Sequence, residues 1–189
     1  MMRPLLTGIA CSAVVMTGGL AGVFTAQNPA PAVTKPISRT LQPANSHTPL
    51  LAQTPTTASS LSAIEKSAFD QINKYRASKG LPAFTWNAAI AEQSRIHSQN
   101  MANGKVPFSH NGFQQRVSAI AKTVAYRGAA ENVAYNQGYA DPATQAVQGW
   151  LKSTGHRTNI EGNYNLSAIG VAKNAKGEYY FTQVFIRSR

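Results

Sequence analysis

Three residues in the chain have the side chains and the setting for chemistry. They are His110 in "FSHNGF", Glu131 in "AAENVAYN" and His156 in "STGHRTNI". Two imidazoles and a carboxylate can hold Zn²⁺ while leaving a fourth position open. They can also share acid and base roles in a proton transfer. Glu131 is the most informative of the three. It stands between small apolar residues at the start of an expected strand, where a bare carboxylate is costly to bury. The whole chain has only seven acids, so Glu131 is expected to be paired, with a histidine or backbone amides as partner. The spacing of the three residues is not diagnostic, and they serve equally as a hydrogen-bond cluster tying loops to a sheet. No HExxH, CxxC, GxSxG, P-loop or GxGxxG occurs. His97 reads as a helix-face side chain, and His47 falls in a linker.

The elements that must position these residues can be read in order. "SAIE" forms a capping box in which Ser62 caps and Glu65 reaches back. Ile64, Ala68, Ile72 and Tyr75 then recur at helical spacing up to Gly80. "LPAFTW" is a short extended link. Asn87 caps a second helix over 88–102, which stops at Asn103-Gly104. A third helix is expected over 112–122. Asp141-Pro142 opens a fourth in cap-then-proline order, with Ala143, Val147, Trp150 and Leu151 on its apolar face, ending at Gly155. A strand is expected over 131–135. "SAIGVAKN" and "EYYFTQVFIR" read as a hairpin turning at Gly177. Helices followed by antiparallel strands make an α+β fold, and residues 62–189 suffice for a core.

The N-terminal third is of a different kind. Arg3 precedes the apolar run "LLTGIACSAVVMTGGLAGV" over 5–23, which reads as a secretory leader with cleavage after Ala26. Retention of the run as an anchor is the alternative, because its length approaches a membrane span. Residues 27–61 hold six of the ten prolines and no acid, the composition of a Pro/Thr/Ser-rich disordered linker. Fully extended at ~3.1 Å per residue, it would reach up to ~100 Å. Cys11 is the only cysteine and lies inside the leader, so the expected mature domain has neither disulfide nor thiol nucleophile. The net charge of +11 favours an anionic cell-wall polymer, lipid or membrane surface as partner. A nucleic-acid partner is not expected: the basic residues are scattered, with no aromatic-interleaved stripe.

Read together, "QINKYRASKGLPAFTWNAAIAEQSRIHSQNMA", "FSHNGF", "AAENVAYN", "GWLKSTGHRTNI", "IGVAKN" and "YYFTQVF" resemble the CAP superfamily. This superfamily contains the cysteine-rich secretory proteins, venom antigens and plant pathogenesis-related proteins; the chain is most similar to the bacterial, SCP-like extracellular branch. The resemblance covers residues 62–189. It implies a three-layer α-β-α sandwich with a central antiparallel sheet and a cleft lined by two histidines and two acids. On that pattern His110 and His156 are the two histidines, and Glu131 is the glutamate of the Gly-Glu-Asn motif, with Ala130 replacing the glycine. The second acid would fall at Ser153, so the tetrad is incomplete.

Two functional classes follow. The first is a secreted or periplasmic binding module whose His110/Glu131/His156 cleft takes a divalent metal, a lipid or a cell-wall ligand, with Zn²⁺ as the expected ion. The second is a metal-assisted hydrolase of peptide or wall glycan, in which Glu131 and the two histidines activate water.

Overall fold

The computed structural model describes residues 10–17 and 56–189, with side chains described from residue 60 onward. Five strands form one sheet in the order β1-β3-β5-β4-β2. In chain order the elements are β1 (Ala10–Thr17), α1 (Thr56–Ser78), β2 (Thr85–Trp86), α2 (Ala88–Ala102), α3 (Phe113–Ile120), β3 (Tyr126–Gln137), α4 (Pro142–Lys152), α5 (Thr154–Glu161), β4 (Leu166–Lys173) and β5 (Glu178–Ser188). All pairings are antiparallel except that of the two-residue β2, which lies parallel to β4.

Each face of the sheet carries a helical layer, giving the α-β-α sandwich. Strand side chains alternate between faces, and the two cores follow that alternation. Ala129, Ala168, Val184 and Ile186 pack with Ile90 of α2 and with Phe113, Val117 and Ile120 of α3. Ala130, Ala134, Ile169, Phe181 and Phe185 pack with α1, α4 and Ile160 of α5. Because both faces are covered, β3, β4 and β5 read as nearly continuous runs of buried residues. At the centre of the second core, Trp150 is fully buried and its indole N–H donates to the Val133 carbonyl at 3.2 Å. Gly170 lets α2 lie directly on β4: a Cβ there would stand 2.1 Å from the Arg95 nitrogen.

The expected starts and stops of α2 and α4 hold. The Asn87 side chain accepts from the Ile90 N–H at 3.1 Å, and the Asp141 carboxylate accepts from the Thr144 N–H at 3.0 Å. Gly177, at φ 83°, turns the β4–β5 hairpin. Three expectations need correction. First, α1 begins at Thr56, so the last residues assigned to the linker are helical. Second, the capping box does not form, because Glu65 accepts instead from Arg95 and from the Val171 N–H. Third, a fifth helix, α5, follows α4 after a break at Ser153, and His156 lies in its first turn. Within the apolar run read as a leader, Ala10–Thr17 pair with β3 as an edge strand. The rest of that run and most of the linker lie outside the described residues. Among the described residues no helix is long and apolar enough to cross a membrane.

Candidate functional site

The site is built on β3. Glu131 points from this strand towards the α2–α3 layer and is fully buried. Beyond α2, the 103–112 loop runs back over β3, placing the Phe108 ring 6.0 Å from that of Tyr135 and His110 over Glu131. Gly112 then turns the chain into α3 with a φ of 79°, a region L-residues rarely adopt. A Cβ at Gly112 would also crowd the Arg116 guanidinium at 3.3 Å. Arg116 occurs at a core-facing position of α3, beside Val117 and one turn after Phe113.

These elements converge on the carboxylate of Glu131. Arg116 grips it with both prongs of the guanidinium: Nε donates to Oε2 at 2.8 Å and Nη2 to Oε1 at 2.7 Å. His110 Nδ1 donates to Oε1 at 2.8 Å. Charge-assisted bonds of this two-pronged kind are the strong ones, and they resolve the burial problem posed by the sequence. The remaining prong of Arg116, Nη1, donates to the Asn111 carbonyl at 2.9 Å and to His97 Nδ1 at 3.0 Å. His97 Nε2 lies 2.8 Å from the Ser109 carbonyl. A guanidinium only donates and a carbonyl only accepts, so these partners assign His97 as the neutral tautomer with its proton on Nε2. Burial first, and the Arg116 charge second, hold the His97 pKa below the usual histidine range.

The opposite face carries a separate set of bonds. The Asn132 amide donates to the His156 carbonyl at 3.2 Å, and the Asn159 amide donates to Asn132 Oδ1 at 2.9 Å. These contacts dock α5 on β3, where His156 is buried. Adjacent residues of one strand therefore serve opposite layers, Glu131 holding the loop and α3, and Asn132 holding α5. Ser153, where the second acid was looked for, ends α4 and precedes α5.

The expected zinc set of His110, Glu131 and His156 does not fit a metal in this arrangement. No group of three His, Cys, Asp or Glu side chains that could hold an ion occurs among the described residues. Both oxygens of Glu131 are committed to Arg116 and His110, and the bonds of α5 reach β3 from the other face of the sheet. A general base must also reach the proton it removes, and Glu131 is sealed from solvent. His110 Nε2 is the exception in the cluster, a buried ring nitrogen without a hydrogen-bond partner among the described residues. The arrangement can brace the loop, α3 and the sheet; it presents no free carboxylate.

Sequence reasoning missed Arg116 and undervalued His97. The signal for Arg116 was present, since Phe113, Arg116, Val117 and Ile120 recur at core spacing and a charge within such a row must face a buried partner. A groove of about 680 Å³ lies elsewhere, between α1 and α2 beside β4. There Arg95 grips Glu65 at 2.8 and 2.6 Å, with Ile96 and Leu61 supplying apolar wall.

Comparison with known proteins adds the following. The model of the cysteine-rich secretory protein family, CAP, matches residues 69–185. An uncharacterized membrane protein of Bacillus subtilis, YlbC, is 36% identical over 129 residues, covering 65% of this chain and 34% of that protein. A second B. subtilis protein, the uncharacterized YkwD, is 32% identical over 134 residues, covering 68% of this chain and 49% of that protein. The chain thus spans between a third and a half of the length of these curated relatives. The crystal structure of an extracellular protein containing a SCP domain from Bacillus anthracis superposes with a TM-score of 0.59 at 27% identity. That match covers 71% of this chain and 44% of the other.

Proposed function

Because the chain belongs to the cysteine-rich secretory protein (CAP) family, we propose that it is a binding module of the bacterial cell envelope and performs no hydrolysis. The observation that carries this reading is the state of Glu131, fully buried with both oxygens held by Arg116 and His110. In that state the carboxylate is a brace for the fold. Ser153 at the place of a second acid supports the same reading, since no other carboxylate stands ready for proton transfer there.

A leader over 1–26 and a linker beyond it would carry the domain outside the cell and hold it away from the membrane. The surface it meets there is anionic wall polymer, a match for a net charge of +11. The structural relative described as an extracellular protein is in keeping with that location.

The test is cosedimentation of the full chain with isolated cell wall, before and after removal of its anionic polymers, at 0.15 M and 1 M salt. Binding is expected only to the anionic wall, and to fall steeply as screening tightens from ~8 to ~3 Å. Parallel assays on peptide and wall-glycan substrates should show no turnover, and calorimetric titration with Zn²⁺ should show no heat. Turnover lost in Glu131→Gln would replace this reading with the hydrolase. So would micromolar Zn²⁺ binding lost in the His110→Ala/His156→Ala double variant.

A further inference from the structure

We propose that the outer edge of β3, with α5 beside it, is a binding site for an extended polypeptide strand. Its occupant in the unprocessed chain is the chain's own segment Ala10–Thr17. The inference goes beyond the wall-binding reading and does not rest on it.

Three observations point to a built site. The first is the register: β1 pairs with β3 from Ala10↔Tyr135 to Thr17↔Gly128, eight residues without a shift. The second is that β1 belongs to the sheet only through β3, and that α5, docked on one face through Asn132, also lies against it. The strand therefore sits in a slot made by the sheet edge and the helix over it. The third is that chain connectivity does not force the pairing. Residues 18–55 separate β1 from α1 in sequence, so the pairing is made at long range along the chain and not by a tight turn.

The edge lacks the usual defences against strand addition. Natural edge strands deter partners with prolines, inward charges, lysines or bulges. In the stretch Gly128–Tyr135 there is no proline and no lysine, and the single charge, Glu131, is consumed by Arg116 and His110 on one face. The register shift in β3 lies outside the stretch, between Tyr126 and Gly128. Eight residues thus offer an unbroken row of main-chain donors and acceptors, which is the requirement for recognition by strand addition. The ligand class follows from the occupant: an extended, uncharged peptide of mostly small residues, such as "ACSAVVMT", read mainly through its backbone. Cleavage of a leader after Ala26 would take this strand away and open the slot to a peptide supplied by another molecule.

Residue-resolved hydrogen exchange on the full chain tests the proposal. Along β3, alternate amides point to β1 and to β5. In the wild type both sets within Gly128–Tyr135 are expected to be protected. In a Ser12→Pro/Val14→Pro chain the β1-directed set should exchange at least tenfold faster while the β5-directed set is unchanged. A chain with residues 10–17 replaced by alternating Gly and Ser should behave in the same way, which covers the case in which the prolines disturb folding. Adding the free peptide ACSAVVMT to either variant should restore protection, and its proline-substituted form should not. Equal exchange of the β1-directed amides in wild type and variants, or no restoration by the peptide, would overturn the proposal.

Discussion

Replacing Glu131 with glutamine separates a brace from a catalytic carboxylate. The substitution preserves shape and removes the charge. It leaves the Arg116 guanidinium buried with only 8% of its side chain exposed, facing a neutral amide whose NH₂ end opposes a donor, Arg116 Nε if the oxygen keeps the place of Oε1. Breaking a buried ion pair by removing one partner costs about 3–5 kcal/mol. For a folded region of this size such a loss lowers the melting temperature by on the order of 10–20 °C. Arg116→Met alone strands the carboxylate and is expected to cost a similar amount. The Glu131→Leu/Arg116→Met pair removes both charges, and should cost well under the sum of the singles, because an apolar replacement of a whole buried pair is often close to neutral. Urea unfolding followed by tryptophan fluorescence measures all of these, with Trp150 reporting from the core. A Glu131→Gln loss under about 1 kcal/mol, or strict additivity in the cycle, would refute the assignment of this network as a buried brace.

Other perturbations test the neighbouring elements. The His97 pKa is lowered in the folded state, so the unfolded chain binds the extra proton and stability falls as pH drops below about 6.5. His97→Gln should flatten the fall between pH 7 and 5, measured by thermal unfolding at each pH. Gly170→Ala places a Cβ 2.1 Å from the Arg95 nitrogen, and the displacement of α2 should cost at least 1–3 kcal/mol in the same unfolding assay. Asp141→Ala removes the α4 cap and should cost about 0.5–2 kcal/mol at neutral pH. The hydrogen bonds from Thr144 hold the Asp141 pKa low. Its contribution is therefore complete above the unfolded value near 4 and is lost as pH falls through the folded one, so wild type and variant should converge in acid melts.

The parts of the fold legible in the sequence were those set by local chemistry. Asn87 and Asp141-Pro142 placed two helix starts because a cap is satisfied within three residues of itself. Gly177 placed the hairpin because a turn residue answers to its own φ. The order of motifs gave the family resemblance and, with it, the sandwich. Where local signals competed, the sequence misled. Ser62 and Glu65 form a good capping box on paper, yet Glu65 is drawn to Arg95 and to the Val171 N–H, 106 residues away, and the helix runs on towards Thr56. His156 looked like a residue beyond a helix end because Gly155 breaks the pattern, but α5 continues through it, docked by Asn132 and Asn159.

By itself the sequence determined that Glu131, a carboxylate among alanines in a chain poor in acids, had to be buried with a partner. Burial of a charge demands one wherever the fold places it. Only the tertiary structure decided that the partner is Arg116, from a helix fifteen residues upstream, and that the His156 carbonyl meets Asn132, whose side chain points to the other face of the strand. Sequence distance carries no information about which face of a sheet two side chains share. That depends on the pleat of β3, which sends Glu131 to one layer and Asn132 to the other.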